Sequence, residues 1–432
     1  MLFEPLMLAR LQMAFTLGFH IIFACFGVGL PLLMLLAEYR YLRTKDPVWK
    51  NIAKRWSKIF AVLFAVGAVS GTVLSFELGL LWPQFMGTFG GVIGLPFTLE
   101  GFAFFIEGIF VGIYLYGWNR LSPKAHWLSS FPIAISGAAS AWFVVTANAW
   151  MNSPAGFQML RGAVVDVDPI AAMLNAATPT QTLHMILAAY MVAAFCMASV
   201  YAVAWLKGKR DAYHTKALAL SLWMAIALTP LQIVAGDWSA KAVAKNQPIK
   251  LAAMEGQFDT TTHAPLRIGG LPDAVEGVTR YAIEIPGMLS WLLYDDAAAV
   301  VKGLNDFPRE NWPPVAVVHI AFQVMVAMGS FLLLIGLWRI FGPKNSLFYF
   351  LLSLSGVASV IALESGWIVT EVGRQPWIVY GFMKTADAVT DSPGIIFVFA
   401  ATLLIYGILI FGSVFVLRLL AKKPIPEEDH AS

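Results

Sequence analysis

What most constrains this sequence is a series of apolar runs of about 20 residues or more, the length a helix needs to cross the hydrocarbon core of a bilayer. They lie at 12–36, 57–80, 93–117, 128–150, 182–206, 216–236, 315–341, 346–369 and 394–420. Of the 432 residues, 59% are hydrophobic and only 13% charged, and mean hydropathy is +0.71. A soluble fold cannot hide that much apolar surface, so the solvent is expected to be lipid. Backbone groups in lipid must find partners within their own segment, so each run is expected to be an α-helix. The expected class is an all-α integral membrane protein with about nine transmembrane helices in packed bundles. The first run is long enough to span and no small-residue cleavage pattern follows it, so it is expected to stay as the first helix.

Most connections between the runs are short. The exception is 237–314, rich in charge and containing several prolines and glycines. A loop of that length is usually functional. The chain therefore divides into helices 1–6 (1–236), a long loop (237–314), and helices 7–9 with a tail (315–432).

Lys and Arg set the orientation. One group of loops holds eighteen: Arg40, Arg43, Lys45, Lys50, Lys54, Arg55, Lys58, Arg120, Lys124, Lys207, Lys209, Arg210, Lys216, Arg339, Lys344, Arg418, Lys422 and Lys423. The short loops of the other group hold four, Arg10, Arg161, Arg374 and Lys384. The N-terminus and the 237–314 loop are thus expected outside and the C-terminus inside. The net charge of +3 is scattered among these loops, which gives no nucleic-acid surface. Cys25 and Cys196 lie within apolar runs and are expected to be packing residues, not a disulfide.

Ionisable groups inside a span are costly and are functional candidates by default. Glu100 and Glu107, in LPFTLEGFAFFIEGIFVG, are two turns apart on one face of the third span. They could be neutral acids tying helices together, metal ligands or a proton relay. His20 lies in the first span and His184 near the start of the fifth. A lone buried histidine is commonly a satisfied core residue, but two of them beside intramembrane carboxylates point to a redox cofactor. Met325 taken alone reads as core packing. In GWIVTEVGRQPW, residues 366–377, Trp367 and Glu371 share a face, Arg374 follows one turn later, and Pro376 is expected to stop the helix. In the orientation above, His20, Glu100, His184, Met325 and Glu371 all fall in the outer halves of five spans. The long loop begins and ends beside them, the layout of a cofactor cluster served by an outer substrate site.

At GWIVTEVGRQPW the sequence resembles subunit I of the cytochrome bd quinol oxidases. RLQMAFTLGFH, LPFTLEGFAFFIEGIFVGIYLYGWNRL, ANAWMNSPAGF and KLAAMEGQF are similar to the same family in the same order, over most of the chain. The resemblance implies that His184 and Met325 are the axial ligands of a low-spin heme b. It implies that His20, Glu100 and Glu371 belong to a high-spin pair, heme b with heme d or a further heme b, without assigning each residue to one heme. It implies that Trp367 and Arg374 support the hemes, that Lys250 and Glu255 act in quinol oxidation, and that Glu107 relays protons inward. Many members carry Arg two residues before the methionine ligand, where this chain has Gln323; that substitution bears on the heme propionate. The shortness of the loop is like the cyanide-insensitive branch.

The function so implied is a terminal quinol:oxygen oxidoreductase of the bacterial inner membrane. Its loop would be periplasmic and its oxygen-reducing protons cytoplasmic, so that charge separates without a dedicated pump. A second membrane subunit and small accessory subunits are the implied partners, beside quinol, O2 and lipid. A competing reading is a transporter or channel whose buried carboxylates carry protons or cations. It accounts for Glu100 and Glu107 but not for His184, Met325 and GRQPW together.

Overall fold

The computed structural model describes residues 4–422; of the tail cations counted above, Lys423 lies outside them. Among the described residues, nine helices are long and apolar enough to cross a membrane. In chain order the helices are α1 (Pro5–Thr44), α2 (Pro47–Leu81), α3 (Pro83–Gly117), α4 (Pro123–Asn152), the short α5 (Pro169–Met173), α6 (Thr178–Leu206) and α7 (Ala212–Asn246). Then come α8 (Pro248–Glu255), α9 (Met288–Tyr294), α10 (Val315–Phe341), α11 (Ser346–Val372), the single turn α12 (Thr385–Ala388) and α13 (Ile395–Lys422). All but α5, α8, α9 and α12 are spans.

Local sequence explains where these helices start. Pro opens α1, α2, α3, α4 and α8, where its missing N–H would have had no helical partner. Asp46, Ser122, Asp211 and Asn345 act as side-chain caps, each accepting from a backbone N–H two or three residues on. The helices run several residues past the apolar stretches, because the polar flanks still propagate the turn beyond lipid. Thus α7 continues to Asn246, ten residues past the end of its apolar run.

α1 and α6 form the middle of the bundle. α1 packs against α2, α4 and α6, and α6 against α7 and α11. Small residues permit the closest crossing. A Cβ on Gly29 would lie 2.3 Å from Ala193 Cβ and 2.9 Å from the Ala189 carbonyl oxygen, so only glycine lets α1 approach α6 this far. Both cysteines are free, with Cys25 buried in the α1–α6–α11 seam. α13 lies at the edge against α2 and α1, its outward face lined with exposed residues such as Phe397, Leu404 and Phe411. Such a face is stable only against lipid or another apolar surface.

The 237–314 stretch is folded. α8 and α9 pack with three two-stranded antiparallel ribbons, pairing Thr261–Thr262 with Val300–Val301, Leu266–Ile268 with Ile283–Ile285, and Leu271–Asp273 with Val278–Arg280. Ile249, Ala252, Ala253, Met254 and Phe258 form a core with Val315 and Val318 of α10, which seats the loop on the bundle.

Candidate functional site

A cavity of about 790 Å³ opens among α1, α2, α3, α4 and α11, within the ~300–1,000 Å³ of ligand and cofactor pockets. His20, Glu100, Glu107, Trp367, Glu371 and Arg374 all line it. The sequence separates these residues by up to about 350 positions, and the bundle brings them around one cavity. His184 and Met325 are not part of that lining. Of the five candidate ligands, His20, Glu100 and Glu371 share this cavity.

In the cavity, the His20 ring lies against α2. Its Nδ1 is 2.9 Å from Ser70 Oγ, and Ser70 Oγ itself donates to the Val66 carbonyl at 2.9 Å. Ser70 is thus left to accept, which places the ring proton on Nδ1 and leaves Nε2 with a free lone pair. Gly71 makes room: a Cβ there would come within 2.9 Å of His20 Cε1. On α3, Glu100 accepts from Ser140 Oγ at 3.0 Å. Glu107, two turns on, is buried, and its Oε1 has no hydrogen-bond partner. It sits in a notch where a Cβ on Gly137 would be 3.3 Å from both Glu107 Oε1 and the Gly27 carbonyl oxygen.

Glu371 ends α11. The helix stops at Val372, so Arg374 lies in the turn beyond it and not on the helix. The helix therefore ends before Gln375, the residue that Pro376 itself turns away from the helical conformation. The turn brings Arg374 back onto Glu371: a guanidinium N–H donates to Glu371 Oε2 at 2.5 Å and another to the Ile378 carbonyl at 2.5 Å. Asn148 of α4 donates to the other carboxylate oxygen, Oε1.

His184 of α6 faces α7, and Met325 of α10 faces α11. Gln232 Nε2 is 3.2–3.3 Å from the two ring nitrogens of His184. A Cβ on Gly236 would be 3.4 Å from His184 Cε1, and one on Gly366 would be 3.2 Å from Met325 Sδ. Both candidate ligands thus face glycines on neighbouring helices. Gln323 is committed elsewhere. Its oxygen accepts from Gly269 N at 2.9 Å and its amide donates to the Arg267 carbonyl at 3.0 Å, so both ends hold loop backbone.

Lys250 and Glu255 both lie on α8 and are nearly inaccessible, at 2% and 4% exposure. Their surroundings differ. Lys250 Nζ donates to Asn152 Oδ1 at 2.5 Å and to the Thr370 carbonyl at 3.2 Å. Burial, reinforced by Arg374, depresses its pKa to about 7, against an opposing pull from Glu371. Glu255 lies towards Arg267, and its Oε2 has no partner. Burial raises its pKa to about 7, partly offset by Arg267. Arg267 is held by Glu284 at 2.9 Å and donates to Gln257 at 2.5 Å.

A polar line connects the two regions. From Lys250 it runs to Asn152, whose amide donates to Asn148 Oδ1 at 3.2 Å, and from Asn148 to Glu371 and Arg374. Sequence reasoning gave no role to Asn148 or Asn152. Their i, i+4 amides inside an apolar span were the available signal. Glu364, two turns before Glu371, and Glu77 of α2 were missed as well, though intramembrane carboxylates deserve the same default suspicion.

The residues fit iron-porphyrin cofactors. The cavity offers an imidazole with a free nitrogen and two carboxylates as donors. Three N–H groups of cavity-lining residues, Arg10 Nε, Trp367 Nε1 and Arg374 Nε, are buried without partners, as anionic propionates would require.

Comparison with known proteins identifies the family. The family model for cytochrome bd terminal oxidase subunit I matches residues 8–425. The chain is 41% identical over 437 residues to the putative cytochrome bd menaquinol oxidase subunit I of Bacillus subtilis (strain 168), covering 99% of this chain and 98% of that protein. It is 32% identical to the cytochrome bd ubiquinol oxidase subunit 1 of the same organism, covering 96% and 91%. The solved bd oxidase from Geobacillus thermodenitrificans superposes with a TM-score of 0.93 at 42% identity, covering 98% of this chain and 99% of that one. Membership implies hemes and a quinol substrate. This multi-pass membrane chain belongs to the cytochrome bd terminal oxidase subunit I family and is an oxidoreductase, a subunit of a terminal quinol oxidase.

Proposed function

We propose that quinol is oxidised at α8 on the periplasmic side of the bacterial inner membrane, and that oxygen is reduced in the large cavity with protons from the cytoplasm. The observation that carries this reading is the Lys250–Asn152–Asn148–Glu371 line, which joins the loop helix to the cavity wall. When bound, the hemes carry electrons and supply the oxygen chemistry. His184 and Met325 would hold the low-spin heme b, two donors that leave no open position. His20, Glu100 and Glu371 would hold the high-spin pair, heme b with heme d or a second heme b.

The side chains divide the remaining work. Glu255, buried with a bare oxygen, accepts a proton as quinol is oxidised. Lys250 holds the neighbouring charge, and the amides of Asn152 and Asn148 transmit its position to Glu371. Arg374 and Trp367 present N–H groups to propionates. Glu107, at the cavity wall further from the loop, passes protons towards Glu100. The two related proteins are named for different quinols, menaquinol and ubiquinol, so the proposal stops at the quinol class. The lipid-type faces of the bundle suit a second membrane subunit, subunit II, with room for small accessory ones.

The test is a pyridine hemochrome measurement on the purified oxidase, with protease digestion of right-side-out and inverted vesicles. The expected outcome is three hemes per subunit I and cleavage of 247–314 only from outside. Absence of heme, as for a transporter, or cleavage only from inside would overturn the reading.

A further inference from the structure

A second buried carboxylate network lies beside the cavity, at the junction of α1, α2 and α13. Its centre is Glu77, 2% exposed. Three groups donate to the same oxygen, Glu77 Oε1: Gln12 Nε2 at 2.7 Å, Thr16 Oγ1 at 3.0 Å and Thr402 Oγ1 at 3.3 Å. Among the described residues, the other oxygen, Oε2, has no donor. Gln12 Oε1 and the Tyr406 hydroxyl are also buried and without partners. Tyr406 is fixed in place by stacking on Phe19, with ring centroids 4.4 Å apart.

This asymmetry distinguishes two charge states. A carboxylate spreads its charge over both oxygens, and both then require donors. A carboxylic acid has one carbonyl oxygen that accepts and one hydroxyl that gives. With the proton on Oε2, Gln12 and Glu77 form a paired amide and acid: the amide N–H donates to Oε1, and the acid O–H is available to the bare Gln12 Oε1. Among the described residues, no cation pairs with Glu77. Gln12, Thr16, Thr402 and Tyr406 are neutral in the ordinary range. Arg10, two residues from Gln12 and some 200° round α1, donates to Gln375 at 3.2 Å. His20 is committed to Ser70, and from α3 Glu100 and Glu107 would only add like charge. Burying an ionised carboxylate without a partner is strongly unfavourable.

The position of the network suggests what it does. Gln12, Thr16 and His20 are successive i, i+4 positions on one face of α1. Ser70 and Glu77 are two turns apart on one face of α2. The helix pair is therefore tied twice, once through Glu77 and once through the His20–Ser70 hydrogen bond, and the first tie sets the register of the second. We propose that Glu77 is a permanently protonated acid that acts as a positioning residue, locking α1, α2 and α13 so that Ser70 orients the His20 imidazole with Nε2 towards the cavity. The part concerning His20 rests on its assignment as a heme ligand; the protonation of Glu77 does not.

The experiment combines infrared difference spectroscopy and optical spectra on the assembled oxidase. Glu77→Gln replaces O–H by N–H and preserves the pairing. The wild-type minus E77Q spectrum should show one protonated-carboxyl C=O band, unchanged from neutral to mildly alkaline pH, with heme spectra retained. Thr402→Val, which removes one donor from α13, should shift that band upward. Glu77→Ala should weaken retention of the high-spin heme about tenfold, the scale of losing an outer-shell support, while the low-spin heme stays. Loss of carboxylate bands instead of a C=O band would overturn the protonation, whatever the hemes do. A normal C=O band with an unchanged high-spin spectrum in Glu77→Ala would overturn the positioning role alone. If Glu77→Ala does not assemble, positioning is read from Gln12→Leu, where an unshifted high-spin spectrum overturns it.

Discussion

Lys250 Nζ lies 2.5 Å from Asn152 Oδ1, so the buried ammonium of the loop helix is held by the last turn of α4. Asn152 in turn leads through Asn148 to Glu371. Replacing Asn152 by Leu would leave the ammonium with the Thr370 carbonyl as its acceptor among the described residues, at a cost of roughly 1–3 kcal/mol. Quinol-driven oxygen uptake should fall about tenfold in Asn152→Leu, since 1.4 kcal/mol corresponds to a factor of ten. Uptake driven by an artificial donor that bypasses the loop should hold. Equal loss with both donors would place the defect at the cavity instead.

The two loop groups predict a pH profile. Glu255 has its pKa raised by burial to about 7, so it becomes the proton-accepting carboxylate only as pH rises through that value. Lys250 has its pKa lowered by burial and Arg374 to about 7, so it loses its charge as pH rises through the same region. Quinol oxidation should therefore follow a narrow bell centred near neutrality. Glu255→Gln should lower the rate and erase the acidic limb. Lys250→Arg, which stays charged, should erase the alkaline limb. A flat profile from mildly acidic to mildly alkaline pH in the wild type would rule out both assignments.

Removing a proposed ligand should be visible as a spectral change. His184→Ala should abolish the reduced low-spin heme band while the protein still inserts. Met325→Leu should be milder, with the histidine keeping the heme and the iron becoming high-spin. Survival of the full low-spin band in His184→Ala would remove that residue from the ligand set.

Glu107 is expected to act by exchanging a proton, not by holding iron. Glu107→Leu should leave heme content near normal and slow turnover on the order of 100-fold, a typical loss for a missing acid–base group. Wild-type turnover in this variant would reduce Glu107 to a packing role in the Gly27–Gly137 notch.

The spans were readable because lipid imposes a one-dimensional rule: each needs about 20 apolar residues in a row and must satisfy its own backbone. The motifs around His20, Glu100, Glu371 and KLAAMEGQF likewise carried the family and its oxidase chemistry. Partnership between distant segments was not readable. Gln323 sits two residues before Met325, yet its amide turns to the backbone at Arg267 and Gly269. Lys250 and Glu255 share one short helix, yet one meets Asn152 and the other lies near Arg267. Glu77 drew no notice as an isolated carboxylate, and its meaning depends on Gln12 and Thr402 arriving from two other helices. The sequence by itself determined which segments cross the membrane and which residue types could do chemistry. Only the tertiary structure decided which of them meet, because helix rotation and register are set by close packing between neighbours, as at Gly29 against Ala193.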